Sequence, residues 1–435
     1  MFPSIVCNTY SGRYGTEKDN GDMIHLTLTI SQSDNINYEN KEIIFLIDIS
    51  GSMTSSMKAV KSSMLAFRDA MLQLSPQEMA TLSAEERDCL IRKINMRIIT
   101  FSNSAKEIWS NHSKENFENT IINLSTESLT NMGDALKLAF SKINPQKFTW
   151  VVAMTDGLSN QGPCRTVNSF HQLVTTNKPL NTKIITLGYG SEFDPETLNQ
   201  VGSFVHVEDS EMIPVVLGNV AEEFATSVGF NCVVDVPNQE ITEFTDDTLI
   251  VPDGEKEPNG KTIVGDRVIG TLCTGKTYHY VYLPHGNNVS TISDYNHIII
   301  SYVDINTQEI VTQIIEIVHT GLEPTDDLIK LYFQSESKRL IYRLYRAIQR
   351  GSVKKEIQHI QKVLENWEVS EEKEVVLKLI NDIVKNNDDK KISSVVLNQA
   401  NGNNYSTPSI EGYGLAAMTS VGYYMASPAI NGEIN

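Results

Sequence analysis

Residues 43–52, IIFLIDISGS, constrain this chain more than any other stretch. The apolar run Ile43 to Ile47 stops at Asp48, and Ser50 and Ser52 follow with Gly51 between them. A short, continuous run rich in β-branched residues reads as a strand buried on both faces, the kind found inside a parallel sheet. Its end places one carboxylate and a pair of hydroxyls on a tight loop. Oxygen donors of this type suit a hard divalent cation, Mg²⁺ first, with Mn²⁺ and Ca²⁺ as alternatives.

The segments after this strand repeat a strand–helix rhythm. Met57, Val60, Met64, Phe67 and Met71 recur every three or four residues and predict an amphipathic helix over 55–72. The methionines form a packing stripe. SPQEMATLSAEERDCL reads as an exposed linker with room for a short helix. Strands are expected at 94–101, 149–157 and 183–190, with a last short one at FVHVED, and helices at 131–142, about 166–175 and 210–228. Asp194-Pro195-Glu196 is a helix start: an N-cap, a proline at the first position and an acidic first turn. Such alternation predicts a doubly wound, mostly parallel sheet with helices on both faces. In open sheets of that type the ligand crevice lies beyond the carboxyl ends of the strands.

From residue 230 the pattern becomes short and β-rich, and 225–320 holds 13 acidic against 4 basic residues. This predicts an acidic β-sandwich. Segment 24–30, IHLTLTI, alternates cleanly and lacks a partner near it in sequence, so it is assigned to the same sandwich. Residues 1–22 read as a loose polar arm. The predicted organisation is therefore an arm and first sandwich strand (1–39), an inserted α/β domain (40–228), the rest of the sandwich (229–320), a helical region (321–398) and a flexible tail (399–435). Within the helical region Lys338, Arg339, Arg343, Arg346 and Arg350 form a basic cluster. It reads as a solvated face, ahead of a docking site for an acidic surface, with RNA last.

The full chain has 435 residues and a formal net charge of −18, with no surplus to neutralise phosphates, so a nucleic-acid partner is not expected. No apolar run reaches the length of a membrane span. The start lacks a secretory pattern. Five widely spaced cysteines form no Cys-x-x-Cys pair, which disfavours both a zinc finger and a disulfide framework. These features predict a cytoplasmic protein with reduced, buried cysteines.

Further segments add oxygen donors to Asp48, Ser50 and Ser52. SLTNMGDAL puts Thr130 on the loop entering the second helix, and MTDG puts Asp156 at the tip of a later strand. Asp48, Ser50, Ser52, Thr130 and Asp156 together could hold Mg²⁺ and leave a position open for an incoming carboxylate. D-x-S-x-S alone is a weak signal, often only an acidic turn. The combination is specific, because each residue falls at a strand end or a helix start.

With these residues in place, the chain resembles the von Willebrand factor type A family. Asp48-Ile49-Ser50-Gly51-Ser52, Thr130 and Asp156-Gly157 match that family's metal-ion-dependent adhesion site. The resemblance implies direct cation binding by Ser50, Ser52 and Thr130, and water-mediated roles for Asp48 and Asp156. ITFSNSAKEIW, LTNMGDALKLAF, VVAMTDG and ITLGYGSEFDPETLNQVGSFVHVED look like an intracellular group that includes plant proteins pairing a RING with a type A domain. The cysteine-rich RING is absent here, so ubiquitin-ligase activity is not implied.

No catalytic pair and no phosphate-binding loop accompanies the carboxylates. The expected function is a non-enzymatic, metal-dependent protein–protein interaction module of an intracellular scaffold, whose partner offers an Asp or Glu. One alternative is a structural or self-associating component in which the ion braces loops. A metal-dependent hydrolase is the remaining one.

Overall fold

The computed structural model describes residues 4–13, 20–31, 38–72, 76–157, 159–189, 193–207, 212–235, 267–282, 297–349, 353–365, 367 and 370–385. The strands are β1 (Ser4–Arg13), β2 (Asn20–Thr29), β3 (Lys41–Asp48), β4 (Met96–Phe101), β5 (Ala105–Ser110), β6 (Phe148–Thr155), β7 (Thr182–Tyr189), β8 (Ser203–Val207), β9 (Ser227–Asp235), β10 (Arg267–Cys273), β11 (Thr277–Tyr282), β12 (His297–Asp304) and β13 (Ile310–His319). The α-helices are α1 (Met57–Leu72), α2 (Pro76–Thr81), α3 (Ala84–Ile91), α4 (Phe117–Ile122), α5 (Met132–Lys142), α6 (Val167–Asn177), α7 (Pro195–Val201), α8 (Ile213–Thr226), α9 (Asp326–Gln349), α10 (Val353–Glu365) and α11 (Glu371–Lys385). The chain divides into two compact units. The α/β unit holds residues 34–227, and the other holds 1–33 together with the chain after 227 except for residues 405–409.

The α/β unit is built on a six-stranded sheet in the order β5-β4-β3-β6-β7-β8. Its pairings are parallel except for β4 with the edge strand β5, which is antiparallel. Every residue of β3 and of β6 is buried, as expected for strands covered on both faces. Trp150 lies beside Ile43, so it shares a face with Phe45. On that face Phe67 of α1 meets Phe45 edge-on at 4.8 Å, and Phe224 of α8 meets Trp150 at 5.1 Å. α5 packs against β3, β4 and β5, and is followed by α6 and α7. Buried Glu223 of α8 accepts hydrogen bonds from Trp150 Nε1 at 3.0 Å and from Lys183 Nζ at 2.5 Å.

The two ends of this unit are clasped together. Lys41 Nζ, at the start of β3, donates to the carbonyls of Phe224 (2.9 Å) and Ala225 (2.8 Å) in the last turn of α8. A cation there also favours the negative end of the helix dipole. The ring of Tyr38 stacks on Phe224 at 5.7 Å.

The sequence pattern missed several pieces of this unit. The expected linker after α1 holds α2 and α3, and α3 opens with a Ser83–Glu86 capping box. β5 and α4 also lie where no element is expected.

In the second unit, one seven-stranded sheet runs β10-β9-β12-β13-β1-β2-β11. The expected arm is corrected to a strand: β1 pairs antiparallel with β2 from Ser4–Thr29 to Arg13–Asn20, and parallel with β13. The clean sandwich is likewise corrected, because a continuous hydrogen-bonded ladder joins all these strands. A flat sheet would hold β10 and β2 about 24 Å apart, at five strand spacings. Leu272 of β10 nevertheless shares one core with Leu26 and Leu28 of β2. The sheet therefore curls around that core as a half-barrel. After it, α9, α10 and α11 pack on one another through Leu340, Leu344, Ile360, Leu364, Val376 and Ile380.

The part of the expected β-rich stretch at 236–266, the side chains of the basic cluster Lys338, Arg339, Arg343, Arg346 and Arg350, and the tail 399–435 lie outside the described residues. Among the described residues no helix is long and apolar enough to cross a membrane. The cysteines are free, and Cys89 is exposed rather than buried.

Phe224 carries the packing of Trp150 and Tyr38 together. Phe224→Ala is expected to destabilise the unit by about 3–5 kcal/mol, read as a lowered urea midpoint at unchanged m-value.

Candidate metal centre at the carboxyl edge of the sheet

In the six-stranded sheet the chain runs outward from β3 through β4 to β5, then returns to the other side of β3 as β6. The strand order thus reverses between β3 and β6, and beyond the carboxyl ends of such a pair is where open α/β sheets place their ligands. Asp48 ends β3, and Asp156 directly follows β6.

Asp48 is fully buried, and both of its oxygens are engaged. Ser50 N–H donates to Oδ1 at 2.8 Å, and the Thr155 hydroxyl donates to Oδ2 at 2.5 Å. The parallel register that sets Ile47 beside Met154 brings Thr155 to Asp48. The Ser50 and Ser52 hydroxyls lie 3.0 Å apart, and Ser52 Oγ donates to Asp156 Oδ1 at 2.7 Å. Thr130 is buried and held from outside: its N–H donates to Asn160 Oδ1 at 3.0 Å, and its carbonyl accepts from Asn160 N (2.9 Å) and Gln161 N (3.0 Å). Gly51 backs onto the loop before Thr130, so that a Cβ built there would lie 3.1 Å from the Glu127 carbonyl oxygen.

The loops around residues 50, 130 and 156 therefore meet. A Cβ placed on Gly157 would sit 3.5 Å from Ser52 Oγ and 3.8 Å from Thr130 Oγ1. It would fill a space bordered by hydroxyls from separate segments.

The electrostatics of this space are strained in one direction. Burial pushes the Asp48 carboxyl up to about 6, against the hydrogen bonds from Thr155 and Ser50, and the charge of Asp156 adds to the rise. Burial also raises Asp156, against its bond from Ser52. The Tyr189 hydroxyl at the end of β7 is buried and has no hydrogen-bond partner among the described residues; burial and the charge of Asp156 both push its pKa upward. Ionised carboxylates in such a place call for a positive charge. The oxygen-only donor set and the space at Gly157 fit a hard divalent cation. Among the described residues no three His, Cys, Asp or Glu side chains gather as a metal-binding group. A cation here would depend on the hydroxyls as well as the two carboxylates.

Sequence reasoning missed Thr155 and Asn160. Thr155 left a signal: a hydroxyl near the end of the apolar strand TWVVAMT must find a buried partner. Asn160 lies in a polar loop and left none.

Residues 42–213 match the family model of the von Willebrand factor type A domain. No curated protein sequence matches the chain. Among solved structures the chain is similar to the ArnB paralog VWA2 from Sulfolobus acidocaldarius, at 15% identity over 92% of this chain and 98% of that one, with a TM-score of 0.52. It is also similar to the human COPII-coat protein Sec24c, at 12% identity over 82% of this chain and 57% of that one, with a TM-score of 0.50. A von Willebrand factor type A protein from Catenulispora acidiphila gives 15% identity over 82% and 85%, with a TM-score of 0.48. At such identities the likeness concerns the fold.

Thr155→Val should cost about 1–3 kcal/mol, because a hydroxyl that donates to the buried Asp48 Oδ2 is then lost. Thr155→Ser should recover most of the loss, and denaturant unfolding of both variants checks the pair. On the family match and the strand order together, residues 42–213 have the fold of a von Willebrand factor type A domain.

Proposed function

We propose that the α/β unit is a divalent-cation-dependent protein-binding module, with Mg²⁺ as the first choice of ion and a partner Asp or Glu as the guest. The observation that carries this reading is the convergence of the Ser52 and Thr130 hydroxyls on the space beside Gly157, with Asp156 bonded to Ser52. Ser50, Ser52 and Thr130 would hold the ion with their hydroxyls. Asp48 and Asp156 would balance its charge. When bound, the ion supplies a positive centre with an exchangeable position for a carboxylate.

Exposure favours a guest over mere bracing of loops. Asp48, Ser50 and Thr130 are buried, which fixes the floor of the site, whereas Ser52 is exposed. A site that served only to tie loops together would have no need of an open side. The resemblance to the intracellular group that includes RING-bearing plant proteins extends the proposal to a cytoplasmic scaffold role without catalysis. The free cysteines are compatible with a reducing compartment.

Mg²⁺ should raise the melting temperature of the purified protein, and a chelator should return it to its starting value. In Ser50→Ala the rise should disappear while the cation-free melting temperature moves little. A melting temperature indifferent to Mg²⁺, Mn²⁺ and Ca²⁺ alike would remove the cation from the reading. A hydroxyl-deleted variant that keeps the full rise would remove these residues from it.

A further inference from the structure

The loops that surround the candidate centre have an unusual surface. Segments 51–55, 102–104, 125–131 and 159–165 are rich in Ser, Thr, Asn, Gln and Gly, and expose no large apolar side chain. They carry only two charged residues, Glu127 and Arg165. The Ser102 hydroxyl donates to the Glu127 carboxylate, so that charge is already engaged.

Arg165 is differently placed. It is exposed, and its Nε donates to the Gly162 carbonyl at 2.9 Å. Gly162 has φ +77°, and a Cβ there would fall 2.3 Å from Asn131 Oδ1, so only glycine lets this loop lie against Asn131. Asn131 follows Thr130, whose carbonyl is bound by the N–H groups of Asn160 and Gln161. The strap 160–162 is thus fastened to the Thr130 segment, and Arg165 is fastened to the strap. With Nε engaged, both terminal Nη groups remain, and no described residue accepts from them. A guanidinium oriented by its Nε presents a planar fork, which matches a carboxylate.

Net charge sharpens the point. A chain of −18 repels an acidic partner at long range. Local positive positions then decide where such a partner lands and in which direction it lies.

We propose that Arg165 reads a second carboxylate. The partner that suits this surface is an acidic peptide segment, with one acidic side chain for the cation centre, another for Arg165, and small polar residues between them. The proposal rests on the cation-dependent reading above, and the test separates the two. Gly/Ser peptides carrying a single Asp, or a pair of Asp at increasing separations, are titrated by NMR into the full-length protein with Mg²⁺ and again with EDTA. At the best separation the two-Asp peptide should bind about fivefold tighter than the one-Asp peptide. Arg165→Ala should abolish that gain and leave one-Asp binding and the Mg²⁺-induced rise in melting temperature unchanged. Arg165→Glu should make the second Asp unfavourable. A gain that survives Arg165→Ala, or no gain at any separation, overturns the role of Arg165 alone. One-Asp binding that is the same in EDTA overturns the cation reading and this inference with it.

Discussion

A carboxylate at the end of a strand buried on both faces sets the terms for the rest of the α/β unit. Asp48 has no exposure, so its charge cannot be solvated by bulk water. The Ser50 N–H and the Thr155 hydroxyl replace part of that solvation. The second of these requires β6 to lie beside β3 in one register, because a slip of one residue would turn Thr155 to the other face of the sheet. Neighbouring parallel strands, and the crossover helices that make them parallel, are thus tied to one acidic residue. The remaining desolvation shows in the raised pKa of both carboxyls.

Much of this was legible in the sequence because it rests on strong local signals. β3 and β6 are near-continuous apolar runs, α1 has a regular stripe, and Asp194-Pro195 marks the start of α7. Aspartates that end such runs fall at the carboxyl edge of any parallel sheet, so the meeting of Asp48 and Asp156 follows from topology. The misses have weak signals. β5 is six residues long, half-exposed and paired with β4 through a bulge between Ile98 and Ile99. α4 is a six-residue helix started by Asn116, too short to show a period. β1 has few apolar residues, and its place comes from ladder bonds to β2 and β13, which no local pattern reveals. The curl of the seven-stranded sheet is a property of the whole ladder. Strands seen singly alternate in the same way in a sandwich and in a half-barrel. Arg165 was invisible for another reason, since its orientation depends on the left-handed turn at Gly162.

The clasp between the start of β3 and the end of α8 bears on how such a chain could arise. Lys41 and Tyr38 hold the entry of the α/β unit against its exit. A folded module whose entry and exit are held together can interrupt a host chain at little cost, because the closure entropy of its own length, about 3 kcal/mol beyond that of a short loop, is met within its own fold. An ancestral half-barrel could therefore have acquired the whole module in one recombination event, or lost it again, with its own strand pairing intact.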